Sequence, residues 1–233
     1  MRILLAALLV AFAALIGAPA RAADMPDYPD IEIPDVDYGV SGSFYLRGSA
    51  GFNMLWTREH VDTLGCTCLV GTAAGYGYSV GAGFGYETGS GLRFDGTLDY
   101  LSNEGLTDGT STLHLRSTVA LANVYYDIPL SAIGGGSAAE GGWGVYVGAG
   151  LGGAYNLTHI TPVSGATPDG ANWSAAAAAM AGVSYDAGTW VADLGYRMIY
   201  MPTITNNAYG TPSYYLNDNT IHEVRGTVRH RLN

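Results

Sequence analysis

The chain has 233 residues, of which 48% are hydrophobic and only 13% charged, with a formal net charge of −10. A water-soluble secreted globule carries about 25% charged residues, so the composition argues against one. The acidic excess argues equally against nucleic acid or an anionic lipid surface as an electrostatic partner. All the basic residues are arginine, and glycine is heavily used, at 34 residues.

After Met1-Arg2 the chain is apolar and uncharged from Ile3 to Ile16, then reads Gly17-Ala-Pro-Ala20-Arg21-Ala22. One basic residue, a short apolar core and a small-x-small end describe a secretory signal peptide over residues 1–22, cut after Ala22. The run falls short of the ~20 residues that a membrane-spanning helix needs. Cleavage removes Arg2 and Arg21, leaving 8 arginines against 20 acids, a net of −12. Residues 23–40 follow with six acids, three prolines and no base. Little apolar surface can be buried there, so an extended, acidic periplasmic lead-in is expected.

From residue 41 to 233 the apolar residues recur with period two, the signature of strands. The first strand sets Phe44, Leu46, Gly48, Ala50, Phe52, Met54 and Trp56 against Tyr45, Arg47, Ser49 and Asn53. The second sets Tyr76, Tyr78, Val80, Ala82, Phe84 and Tyr86 against Gly77, Ser79, Gly81, Gly83, Gly85 and Glu87. In the third, Leu92, Phe94, Leu98 and Tyr100 oppose Arg93, Asp95, Thr97 and Asp99. The fourth, about 113–128, sets Ala120, Ala122, Val124 and Tyr126 against Asn123, Tyr125 and Asp127. The fifth opposes Val145, Val147, Ala149, Leu151 and Tyr155 to Tyr146, Gly148, Gly150, Gly152 and Asn156.

The sixth segment, Trp173 to Asp186, contains an alanine run, Ala175 to Ala179, with high helix propensity. It is still read as a strand, because Val183-Ser-Tyr185 continues the alternation and no helix caps flank it. The seventh sets Trp190, Ala192, Leu194, Tyr196 and Met198 against Asp193, Gly195 and Arg197. The eighth sets Val224, Val228, His230 and Leu232 against Glu223, Arg225, Thr227, Arg229 and Arg231. The expected fold is all-β, an eight-stranded antiparallel transmembrane β-barrel, closed and up-and-down.

Lipid rather than water is expected outside it. The apolar faces carry no charge while the charged residues share the opposite face, the reverse of a soluble barrel. The tryptophans fall at strand ends, Trp56 and Trp173 toward one rim and Trp143 and Trp190 toward the other, as an aromatic girdle requires. Connections after strands one, five and seven (about 57–75, 158–172 and 201–219) read as long. Thr88-Gly-Ser-Gly91 and Asp186-Ala-Gly-Thr189 read as tight turns, long outside and short inside being the barrel pattern. The Gly-rich stretch from Pro129 to Gly142 is longer than that pattern asks.

Ser43-Phe-Tyr-Leu-Arg-Gly48, Ala122-Asn-Val-Tyr-Tyr-Asp127, Val145-Tyr-Val-Gly-Ala-Gly-Leu-Gly-Gly153, Ala181-Gly-Val-Ser-Tyr185, Asp193-Leu-Gly-Tyr-Arg197 and His222-Glu-Val-Arg225 stand in sequence from Ser43 to the C-terminus. In order and spacing the chain resembles the porin-family outer-membrane β-barrels, the OmpA-like and opacity-type small barrels of Gram-negative bacteria. The resemblance implies the outer membrane as location, with outer-membrane lipid and lipopolysaccharide as surroundings, and insertion by the barrel-assembly machinery. The end, Val228-Arg-His-Arg-Leu232-Asn233, departs from the aromatic-terminated last strand of that family.

The inward set gathers Arg47, Arg93, Arg197, Arg225, Arg229 and Arg231 with Glu87, Asp95, Asp99, Asp127, Asp193 and Glu223. Charges confined in a barrel of this size must pair, and arginine does so with two parallel bonds. A salt-bridged plug is therefore expected, with a narrow ion-conducting lumen as the alternative. Gly148, Gly150 and Gly153 match a dinucleotide fingerprint, but the required helix does not follow. His60 and His159 are expected in outer loops and His114 near one, while His222 and His230 belong to strand eight. Cys66 and Cys68 form a lone C-x-C, at best half a zinc site.

No catalytic residue, metal site or cofactor is therefore expected. The reading is a structural barrel that contributes to envelope integrity, its surface loops suited to adhesion or to host and phage ligands. The alternatives are a narrow porin or ion channel and, behind it, a lipid A-modifying membrane enzyme.

Overall fold

The computed structural model describes residues 42–62, 73–107, 111–130, 142–162, 169–206 and 214–232. The expected signal peptide and the whole acidic lead-in, together with Cys66 and Cys68, lie outside these residues. Eight strands follow one another: β1 Ser43–Asp62, β2 Ala73–Glu87, β3 Leu92–Thr107, β4 Ser111–Pro129, β5 Gly142–Pro162, β6 Gly170–Asp186, β7 Trp190–Asn206 and β8 Tyr214–Leu232. Each pairs antiparallel with the next, and β8 returns to β1 with Phe44 opposite Leu232, so the barrel is closed. The chain thus closes its last ladder with leucine at the position where an aromatic terminus is usual.

The alanine run is strand. In β6 the even residues Ala176, Ala178 and Met180 are buried and the odd ones point outward. Ala175 to Ala179 pair with Gly153 to Ala149 of β5, and Ala177 to Ala179 also with Tyr200 to Met198 of β7. A helix here would leave both neighbours with open edges, which hydrocarbon does not tolerate, and that outweighs a propensity of a few tenths of a kcal/mol per residue.

The tight turns fall at one rim, called here the turn end. Gly89 (φ 77°) and Gly91 (φ 90°) turn β2 into β3, and Gly188 (φ 84°) turns β6 into β7, all in the left-handed region that favours glycine. The opposite rim is the loop end. There the strands run on past the expected boundaries, to Asp62 in β1, Pro162 in β5 and Asn206 in β7. The sequence stops alternating apolar and polar at this height, but the backbone ladder continues because strand pairing does not depend on a greasy face. The stretches between these strands and the next are accordingly 63–72, 163–169 and 207–213.

Glycines on the inward face leave room for large residues reaching across the lumen. A Cβ on Gly85 would stand 2.5 Å from both the Tyr45 ring and the Phe94 carbonyl oxygen. Gly85→Ala is therefore expected to destabilise the barrel by about 1–3 kcal/mol through overpacking. Urea unfolding in detergent micelles would measure this, and an unchanged midpoint would remove the packing argument.

Candidate functional site

The barrel wall sorts its residues by chemistry. Outward positions are apolar and open, with Phe52 81% and Leu151 71% exposed, whereas Arg93 and Arg197 inside are 1% exposed. Such a continuous apolar exterior is rare on a soluble monomer. Among the described residues no helix is long and apolar enough to cross a membrane; the strands supply the crossing.

Every inward arginine is held by a carboxylate. Nearest the turn end, Arg231 bonds Asp186 through both amino nitrogens (2.8 and 2.7 Å) and Glu87 through Nε (2.8 Å). Arg229 forks onto Asp193 at 2.9 and 3.0 Å and also meets Glu87. One layer in, Arg93 forks onto Asp127 at 2.9 and 3.0 Å, and its guanidinium lies 4.1 Å over the Tyr125 ring. Arg47 donates to Asp95 at 2.6 Å and to the Tyr125 hydroxyl at 2.8 Å. Deepest, Asp99 accepts from Arg197 at 2.6 Å and Arg225 at 3.0 Å, while Glu223 accepts from Arg197 at 2.7 Å. Two-point arginine forks fix geometry as well as charge.

All twelve inward charged residues named from the sequence lie in this network. Sequence reasoning left Asp186 at a turn, and it placed Tyr45, Tyr125 and Tyr146 inward without assigning them to the arginines they line. Between Arg47, Arg93, Tyr125, Tyr146 and Arg225 the free space is about 10 Å³, room for no more than one water. The turn-end mouth, by contrast, opens into a depression of about 320 Å³ bordered by Glu87, Asp127, Asp186 and Arg231.

Toward the loop end the interior changes character, which the alternation did not reveal. Leu55, Leu101, Leu115, Ile199, Met201, Ile204, Leu216 and Ile221 are fully buried and form one apolar cluster. Polar residues at this height bond one another: Thr57 donates to Asn219 at 2.6 Å and Ser117 to Asn156 at 2.6 Å. Here the alternation loses its meaning: around Leu55 and Ile199 both faces are apolar, whereas buried Leu115 and Ile221 stand between polar neighbours, so period two no longer marks the inward side as polar. The lumen is charged in one half and greasy in the other.

The tryptophans stand outward near the rims. Trp56 and Trp173 flank the loop end, the latter 5.1 Å from the Tyr155 ring. Trp143 and Trp190 flank the turn end, 5.2 Å from Tyr185 and stacked 4.4 Å from His230. The structure corrects two histidine placements: His159 lies in β5, not in a loop, and the backbone of His60 belongs to β1, while His114 stands near the start of β4 as expected. Arg58 and Arg116, absent from the sequence-based inward set, point outward beyond the hydrocarbon-facing residues of β1 and β4. Among the described residues no three His, Cys, Asp or Glu side chains form a metal cage.

An apolar exterior, an ion-paired interior and a backbone without edges occur together only where a sheet crosses lipid. The chain has the fold of the small outer-membrane β-barrels. No known family profile matches it, and no curated protein does either. Among solved structures it is similar to Neisserial surface protein A, at 22% identity with a TM-score of 0.49, covering 82% of this chain and 99% of that one. It is also similar to Ail, the attachment invasion locus protein of Yersinia pestis, at 12% identity and a TM-score of 0.44, covering 82% and 99%. The outer-membrane protein OprG of Pseudomonas aeruginosa gives 16% identity and a TM-score of 0.42, covering 82% and 97%.

The ion network divides its members by depth. Removing one partner of a buried pair costs about 3–5 kcal/mol, since the other charge is left stranded, while a partly exposed pair costs about 1 kcal/mol or less. Arg197→Met, which leaves the buried Asp99 and Glu223 to share Arg225 alone and so leaves one negative charge uncompensated, should therefore lower the unfolding free energy several-fold more than Arg231→Met at the mouth. Equal losses in urea titrations would show that the inner charges are not sealed from water.

Proposed function

We propose that this outer-membrane barrel is a structural element of the envelope, closed to diffusion, whose loop-end rim and connections meet surface ligands. The filled lumen carries the reading. An ion moving through it would have to part the Arg197–Asp99–Arg225 cluster and then cross the layer built from Leu55, Ile199 and Ile221. Two unlike barriers in series make a poor conduction path, because charge favours an ion where grease rejects it.

Several partners follow from the same placement. The apolar wall takes lipid, the rim tryptophans anchor at the two interfaces, and outward Arg58 and Arg116 face the headgroup region of lipopolysaccharide. Insertion falls to the barrel-assembly machinery. Connections 63–72 and 207–213 are the segments offered to host or phage surfaces, since rigid scaffolds display variable function on loops. The reading is non-enzymatic, and of the described histidines His159 meets Asp169 and His222 meets Tyr196.

The refolded protein in a planar lipid bilayer should give no conductance steps, and steady steps would overturn the closed reading. A deletion strain should become more sensitive to detergent without any change in lipid A mass. An altered lipid A mass would instead point to an enzyme.

A further inference from the structure

At the loop end of the outer wall, four adjacent strands bring an acid, two histidines and a second acid to one outward-facing stretch. His114 of β4 stands directly opposite His159 of β5, their ring centroids 6.0 Å apart and tilted by 39°. Asp169, one residue before β6, holds the Nδ1 of His159. On the far side the β3–β4 register slips between Asn103 and Leu106, and Glu104 in that irregular stretch is exposed. Glu104, His114, His159 and Asp169 border one depression of about 530 Å³, with Arg116 toward its bilayer side.

Stability does not explain this arrangement. The side chains of His159 and Asp169 are 59% and 77% exposed, and an exposed pair contributes little to folding. Its chemistry is more telling. A histidine whose Nδ1–H is held by a carboxylate has its tautomer and ring direction fixed, with Nε2 left as the free donor of an electron pair, which is how metal-binding imidazoles are oriented. A facing histidine on the neighbouring strand supplies a second nitrogen, since directly opposed residues of antiparallel strands have Cβ atoms about 4.5–5.5 Å apart. With both imidazoles neutral, two carboxylates against one guanidinium leave the depression net negative, which favours a cation.

We propose that His114 and His159 form a two-nitrogen site for a transition-metal ion of the zinc class, with Asp169 as the orienting carboxylate. Zinc accepts imidazole nitrogen in four-coordinate geometry, and imidazole suits copper and nickel equally. Two nitrogens do not complete the coordination shell, so water fills the remaining positions. The site is open, at the membrane surface, and separate from the lumen.

Titration of the refolded full-length barrel with zinc chloride by calorimetry tests this, with the heat-dependent electrophoretic shift confirming the fold of each variant. Wild type should take up one zinc at this site. His114→Ala and His159→Ala should each weaken binding at least 10-fold, and Asp169→Asn by about 10–100-fold. His222→Ala, on another part of the wall, should leave it unchanged. With copper(II), electron paramagnetic resonance should show two coordinating nitrogens in wild type and one in either alanine variant. Folded wild-type protein that binds no zinc, or alanine variants that bind as wild type does, would overturn the proposal.

Discussion

The structure depends on one constraint: a backbone N–H or C=O in hydrocarbon has no water to turn to, and each one left unpaired costs several kcal/mol. Closure of β8 onto β1 answers it, and so does the continued pairing of an alanine run that would prefer another conformation in water. Every choice of side chain is made on a wall whose geometry is already fixed. An eight-stranded wall leaves an interior that side chains can fill, and this one does.

Filling takes two forms. In the turn-end half, arginines thread between carboxylates and lie over tyrosine rings, so each charge is compensated within a few ångströms. In the loop-end half, leucine, isoleucine and methionine pack with hydrogen-bonded asparagines between them. Charge pairing fixes distances and directions and excludes alternative registers; apolar packing excludes water. Glycines on the inward face make both possible, since Tyr45, Tyr125 and Tyr146 all point at positions where a neighbouring strand carries no side chain.

The outer wall has its own stratification. Phenylalanine, leucine and valine occupy the middle, tryptophan and tyrosine the borders, and arginine and histidine the loop-end edge. Function at the membrane surface is therefore open to strand residues as well as loops, because the strands project past the hydrocarbon. The histidine pair sits on that projecting part, rigid in a way that a loop is not.

Much of this was legible in the chain. Strand number, antiparallel order and the twelve inward charges follow from period two, because a pleated strand sends alternate residues to media as different as lipid and a confined lumen. Asp186, the apolar inner layer and the Glu104–His114–His159–Asp169 grouping were not legible. The first closes β6 at the edge of a tight turn, the second lies where apolar and polar residues no longer mark outside and inside, and the third depends on register between neighbouring strands, which no single strand encodes. Alternation reports which side a residue faces. Only closure of the barrel decides which residues on that side come within bonding distance, because the partners lie on other strands, as far as 180 residues apart in the chain.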